Sequence, residues 1–195
     1  MEFGVSKQPV MEALRRLSGE GMIEILPQVG SRVASYDLRD VEDFYQMFGA
    51  FEGTIAEIAA TRRTNAQLAD LDMISHRIGL LRAETDAGLR ARDYRAWNRQ
   101  FHHTIHQMTH SPIMVDTSHR MWDLSDFLIN TIGIQQPLSS ALNERHDDHE
   151  RIRHAVHAGN PAKARAEMEG HIVGTVAVIR AETASAAARS NVLPC

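Results

Sequence analysis

The chain has 195 residues, of which 43% are hydrophobic and 24% charged, with a formal net charge of −4 and a single cysteine, Cys195. This excludes a disulfide framework and a uniformly basic nucleic-acid binder. No apolar run approaches the roughly 20 residues that cross a bilayer, and no basic segment followed by an apolar one opens the chain, so a soluble cytoplasmic protein with no membrane partner is expected.

In chain order, Ser6 precedes a helical pattern in which Val10, Leu14 and Leu17 recur at spacings of three and four. Ser6 is a suitable N-cap, and Pro9 falls in the first turn, where a missing N–H costs little. Gly19 and Gly21 end this helix. Ile23 and Ile25 then alternate with polar residues, Pro27 to Gly30 form a turn, and Arg32-Val33-Ala34 returns as a second strand. Residues 1–35 balance Lys7, Arg15, Arg16 and Arg32 against Glu2, Glu12, Glu20 and Glu24, so this segment carries no basic excess.

Beyond Ser35/Tyr36 the pattern is helical throughout. Asp37 caps a helix with the apolar stripe Leu38, Val41, Phe44, Tyr45, Phe48, Phe51, Ile55 and Ile58. Thr64 caps a second, through Leu68, Leu71, Ile74, Ile78 and Leu81. A third is expected from about Arg90 to Met108, and a fourth from Ser111-Pro112 to the Gly133 region. A loop from Gln135 to Ser139 contains Pro137. A fifth helix spans about Ser140 to Ala158. Gly159 ends it, Asn160 caps the sixth and Pro161 takes its first position. The chain is mainly α: a helix plus hairpin over 1–35, a bundle of about six helices over 36–185, and a fraying small-residue tail over 186–195.

Histidine is the unusual component, with 11 in the chain. A metal site on helices needs ligands at i, i+3 or i, i+4 on one face, completed by neighbouring helices. Asn98 and His102 are so spaced, as are His102 and His106, His106 and His110, and His146 and His149. His76, His103, His110, His119, His154 and His157 read as solvated surface groups, while His106 and His146 fit either setting. His102 lies beside the apolar side marked by Phe101, Ile105 and Met108. His149 shares a face with Ile152 and Val156, and His171 shares one with Met168 and Ile172. Imidazoles facing a core are costly unless hydrogen-bonded or metal-bound, so satisfied core histidines and a metal centre both remain open.

The stretch GVSKQPVMEALRRLSGEGMIEILPQVGSRVAS resembles the recognition helix and wing of the GntR family of bacterial transcription regulators. Pro9-Val10, Glu12-Ala13-Leu14, Arg16-Leu17 and Glu20-Gly21 fall in register with that family. The resemblance implies a partial winged helix-turn-helix, with DNA contacts at Ser6, Lys7 and Gln8 and a further one at Arg15. Met11 stands where the family has an arginine. The two helices that precede the recognition helix in the family are not in this sequence, and weak or no specific DNA binding is expected without them.

The remainder is similar to the FCD ligand-binding domain, the usual partner of such a module. YDLRDVEDFYQMFGAFEGTIAEIAA resembles its first helix, NRQFHHTIHQMTHSPIM its FH-containing helix, and DHERIRHAVHAGNPAKARAEMEGHI its last two. Metal-binding members use one carboxylate and three histidines, which implies Asn98, His102, His149 and His171 as ligands here. Asn98 replaces a common aspartate, so the three imidazoles would control the site and favour Zn²⁺ or Ni²⁺. Phe48 stands where the family often carries an arginine that pairs with an acid ligand.

These features imply a homodimeric, ligand-responsive regulator whose helical domain takes a metal and a small organic acid and whose other partner is operator DNA. The same residues allow two other readings. One is a truncated dimeric ligand-binding module without specific DNA binding. The other is a metal-dependent hydrolase, since an open metal position can activate water. No HExxH, Ser-His-Asp order or cysteine nucleophile is present, so no catalytic residue and no organic-cofactor site is expected.

Overall fold

A computed structural model describes residues 6–131 and 141–190, the last nine as backbone. Helix α1 (Lys7–Gly19) is followed by an antiparallel hairpin, β1 (Ile23–Leu26) and β2 (Gly30–Val33). Then come α2 (Leu38–Arg62), α3 (Asn65–Leu80) with a single 3-10 turn at Leu81–Ala83, α4 (Ala87–Met108), α5 (Pro112–Thr131), α6 (Leu142–His157) and α7 (Pro161–Ser190). The architecture is therefore mainly α: a helix with a two-stranded wing, then a six-helix bundle. The expected Gln135–Ser139 loop with Pro137 lies outside the described residues, as do Cys195 and the end of the tail. The last helix runs on through Ser190, past the expected start of the tail at 186.

The starts of α2 and α3 are set locally. Asp37 accepts from the Asp40 N–H and Thr64 from the Gln67 N–H. The side chains of Asp40 and Gln67 return the bond to the cap's own N–H. Each such box satisfies two backbone donors that a helix start leaves free. Asp86 caps α4 without the reciprocal bond, accepting from the Leu89 N–H, so α4 begins three residues earlier than Arg90. Ser6 stands at the N-cap of α1 with extended backbone, but its side chain makes no capping bond.

The end of α6 is set by Gly159 at φ +60°. Its N–H donates to the Val156 carbonyl and the Asn160 N–H to that of Ala155, the paired closure that a left-handed glycine permits. Asn160 Oδ1 then accepts from the Lys163 N–H and starts α7 one residue after α6 has been closed. This short turn places α6 and α7 side by side.

The longest packed interface joins α2 and α7. Gly49 and Gly53 face it one turn apart. A Cβ at Gly49 would stand 2.7 Å from Val173 Cγ2, and one at Gly53 would stand 3.1 Å from the Arg165 carbonyl. The absence of those two side chains is what lets the helix axes approach. Val173 is two residues beyond His171, so this approach also sets the depth of the histidine. The largest fully buried side chains come from five helices: Tyr45, Phe48 and Ile55 on α2; Leu71 and Ile78 on α3; Tyr94, Phe101, Ile105 and Met108 on α4; Ile152 on α6; Met168 and Ile172 on α7. No helix among the described residues is long and apolar enough to cross a membrane.

The helix–hairpin unit has no buried residue on α1. Tyr36 ties it to the bundle, its hydroxyl donating to the Gly21 carbonyl at 2.8 Å. Tyr36 sits one residue before the cap of α2, so the end of α1 is held at the start of that helix.

Candidate metal centre

Three helices each bring one imidazole to the same point in the bundle. His102 on α4, His149 on α6 and His171 on α7 each offer a ring nitrogen within 4.8 Å of the others'. They are 0%, 0% and 2% exposed. Their faces follow from periodicity: Phe101 and Ile105 flank His102, Ile152 shares the face of His149, and Met168 and Ile172 flank His171, all of them buried. Phe101 stacks on His149 at 4.3 Å between ring centroids, and Trp122 of α5 packs on His102 at 4.4 Å.

The three rings differ in what holds them. Both ring nitrogens of His102 and both of His149 lack a hydrogen-bond partner among the described residues. Leaving a buried polar atom unpaired costs about 1–3 kcal/mol. Four such atoms on two adjacent rings need a partner that the described side chains do not supply. His171 is fixed on both sides. Its Nδ1–H donates to Asp148 Oδ2 at 3.1 Å, and its Nε2 accepts from Arg145 Nη2 at 3.0 Å. His102 Nδ1 lies 4.0 Å from Glu52 Oε2. That distance is beyond a hydrogen bond, and the Glu52 oxygens are instead engaged by His106 and Ser118.

All three histidines have pKa values held well below 6.5. Burial is the main cause at each, followed by the other imidazoles for His102, His171 and Arg145 for His149, and Arg145 and Arg151 for His171. Neutral imidazole is the form that ligates metal. The direction also fixes a pH dependence. Below about pH 6.5 the unfolded chain takes up protons that the folded histidines refuse, so stability falls as pH drops, by at most about 1.4 kcal/mol per pH unit for each ring. Chelator-treated protein should therefore lose melting temperature steadily as pH is lowered from about 7. A flat profile over the two units below 6.5 would contradict the burial of these rings as neutral groups.

Asn98 lies one turn before His102 on α4, is 4% exposed, and its Oδ1 accepts from the Tyr94 hydroxyl at 3.4 Å. That is a long bond and leaves the amide oxygen weakly held. The residue types fit a borderline divalent ion: three neutral imidazoles, the donor set that Zn²⁺ accepts, with a buried amide one helical turn from His102. Phe48, one turn before Glu52, packs edge-on against Trp122 at 5.5 Å, so this position belongs to the core.

Several groups at the site escaped sequence reasoning. Arg145, one turn before His149, is 4% exposed and is the cation nearest the triad. Glu52 is fully buried, with Oε1 accepting from the Ser118 hydroxyl at 2.5 Å and Oε2 on His106 Nε2 at 2.8 Å. Ser118 Oγ also approaches His106 Nε2, at 3.0 Å. Serine and carboxylate thus share one ring nitrogen, whereas a nucleophile relay needs them on opposite nitrogens. The i, i+4 spacing of Arg145 to His149 was the available signal for the arginine. For Glu52 the signal was its place between Phe48 and Ile55 on the apolar stripe of α2.

The other histidines divide. His106 and His146 are buried. His76, His110 and His154 are exposed, as expected. His103 and His119 are half-buried and paired, with Nε2 of His119 3.0 Å from Nδ1 of His103, and His157 pairs with Asp72 at 2.8 Å. Those three are therefore less solvated than their sequence setting implies, because α5 and α3 fold back over them. Glu150, beside His149, points off the site to Ser75 and Arg153, and the Arg153 guanidinium holds its carboxyl down to about 2. A cleft of about 480 Å³ between α4 and α5 is lined by Arg92, Arg95, Arg99, His103, His106 and Trp122, among others. Trp122 borders both this cleft and His102.

The residues expected to face DNA, Ser6, Lys7, Gln8 and Arg15, are exposed on α1. Lys7, Gln8 and Arg15 make no ion pair or side-chain hydrogen bond among the described residues.

Comparison with known proteins agrees with this architecture. The FCD domain profile matches residues 43–174, and the profile of bacterial regulatory proteins of the gntR family matches residues 1–33. The chain is 25% identical to the HTH-type transcriptional regulator LutR of Bacillus subtilis (strain 168), over 91% of this chain and 86% of LutR. It is 24% identical to the HTH-type transcriptional repressor GlaR of Escherichia coli (strain K12), over 91% of this chain and 81% of GlaR. Among solved structures, E. coli McbR/YncC superposes with a TM-score of 0.74 at 18% identity, covering 92% of this chain and 82% of that one.

Proposed function

The chain belongs to the GntR family of bacterial transcription regulators and carries an FCD domain behind its DNA-reading module, and from that premise we propose that a divalent metal and a small organic acid bound in the bundle set its affinity for operator DNA. It is a regulator rather than an enzyme, as its relatives are. FCD domains can bind metal. The observation that carries the reading is the buried triad with four unpartnered ring nitrogens on His102 and His149. Asn98, His102, His149 and His171 would hold the ion, and Zn²⁺ or Ni²⁺ suits them. The ion would supply a Lewis-acidic position to which a carboxylate can bind.

The readout would run through α2. Glu52 on α2 touches the triad at His102 and meets α4 and α5 through His106 and Ser118. Tyr36, at the start of α2, holds the end of α1. In a homodimer, a change in the set of α2 would alter the spacing of two α1 helices, and half-site spacing is what paired recognition helices read. The ligand can shift that arrangement only by the difference in its affinity for the two states. A cytoplasmic location follows from this role.

The test is binding of the DNA upstream of the chain's own gene, measured by fluorescence anisotropy over a salt series with chelated and zinc-loaded protein. Occupancy of the centre should change the specific Kd at least about fivefold, the low end of usual coupling between sites. Lys7→Ala and Arg15→Ala should each lower the slope of log K against log salt by about 0.9 if they neutralise a phosphate. Identical DNA affinity with and without bound zinc would overturn regulation through this site, and unchanged slopes in both variants would move the DNA contacts elsewhere.

A further inference from the structure

Arg145 is a buried guanidinium without a carboxylate at hydrogen-bonding distance. The nearest carboxylate oxygen, Asp148 Oδ2, is 4.0 Å from Nη1, and Asp148 is already engaged by Arg151 and by His171. Arg145 instead donates to neutral groups: Nη1 to the His171 carbonyl at 2.6 Å and Nη2 to His171 Nε2 at 3.0 Å. Its Nε–H has no partner among the described residues. A charge taken out of water is expensive unless it is paired, so a cation left in this state calls for an anion that arrives later.

The same contact has a second consequence. With Nδ1–H of His171 given to Asp148, the ring's remaining lone pair is at Nε2, and Arg145 Nη2 sits on it. A zinc–nitrogen bond is about 2.0–2.1 Å, and one lone pair cannot serve a guanidinium and a metal together. Metal binding at His171 therefore has to displace Nη2. What is freed is the Nε–Nη2 edge, two parallel donors of the geometry that a carboxylate accepts in bidentate fashion.

We infer that Arg145 is the anchor for the carboxylate of the acid effector, and that it becomes available when a metal takes Nε2 of His171. The inference rests on the metal reading above and deepens it. A divalent ion beside a guanidinium adds like charge to the interior, where Glu52 and the half-buried Asp148 are the carboxylates near the triad among the described residues. A carboxylate on Arg145, or bridging Arg145 and the ion, offsets that charge. Metal and acid then bind with positive linkage, each raising the affinity of the other by the same factor. Without metal, the acid meets an arginine already folded onto His171.

Zinc affinity measured by chelator competition, with acetate and with neutral acetamide as probes, tests this. Arg145→Met should bind Zn²⁺ at least about tenfold more tightly than the wild type in the absence of acetate, because both a competitor and a like charge are gone. In the wild type, acetate at fixed free zinc should raise zinc affinity in a saturable way, and acetamide should not. In Arg145→Met that response should fall at least about tenfold. Arg145→Lys keeps the charge but lacks the two-donor edge, so it should bind zinc less tightly than Arg145→Met and lose the acetate response. It also serves as the second variant should the methionine form melt early. Zinc affinity unchanged in folded Arg145→Met, or an acetate response equal in all three proteins, overturns the inference while leaving the metal centre standing. Failure of the wild type to bind zinc removes both.

Discussion

His149→Ala is expected to lower Zn²⁺ affinity about 100-fold. This magnitude comes from sharing the roughly 10–16 kcal/mol of a structural zinc site among four ligands, about 3 kcal/mol each. His149 is the sharpest position for the measurement because neither of its ring nitrogens has another partner among the described residues. His171 is tied to Asp148 and Arg145, so removing it would disturb two further side chains at once. Asn98→Ala should cost much less, since a neutral amide oxygen is a weak ligand for zinc. Calorimetric titration of zinc into wild type and variant reads the difference directly. Equal affinity in the two proteins would sink the assignment of this triad as a metal centre. The stability of the metal-free variant supplies an internal check. The lost stacking on Phe101 destabilises, while removal of two unpaired nitrogens offsets part of that loss.

Glu52→Ala is expected to produce the largest loss of stability at the site, about 2–4 kcal/mol. Glu52 is 0% exposed and is the shared acceptor for His106 and Ser118. Truncation strands both partners in the core, and each buried group left unsatisfied costs about 1–3 kcal/mol. Urea denaturation should register a lower midpoint with little change in slope. A second effect should accompany it. His102 loses the carboxylate 4.0 Å from Nδ1, and zinc affinity should fall by less than the roughly 10–100-fold typical of a hydrogen-bonded supporting group. A variant with wild-type stability would mean that Glu52, His106 and Ser118 do not share hydrogen bonds in the folded core. Normal zinc affinity in a destabilised variant would confine Glu52 to a structural role.

Helix order, most helix starts and the inward histidines were legible in the sequence because each is a local property. Capping at Asp37 and Thr64 needs only the residue three positions on. The turn Gly159-Asn160-Pro161 needs only its own backbone preferences. His102, His149 and His171 could be set on buried faces because each lies within one turn of apolar residues that recur at the helical period. Ser6 is the instructive exception: a suitable residue type at the right place, whose side chain nonetheless makes no capping bond.

By itself, then, the sequence determined a mainly helical chain with a wing after its first helix, and it put three imidazoles on three inward faces. Only the tertiary structure decided that those faces converge on one point. It also decided that Glu52 stands behind His102, that Trp122 covers it, and that Arg145 lies on the lone pair of His171. The physical reason is range. Periodicity reports which side of a helix is dry, but not which residue of another helix it meets. That depends on how closely the helices approach, and here Gly49 and Gly53 let α7 settle against α2 and fix the depth at which His171 faces its partners. A charged run such as Glu144-Arg145-His146-Asp147-Asp148 reads as solvated until the packing buries two of its members, Arg145 and His146.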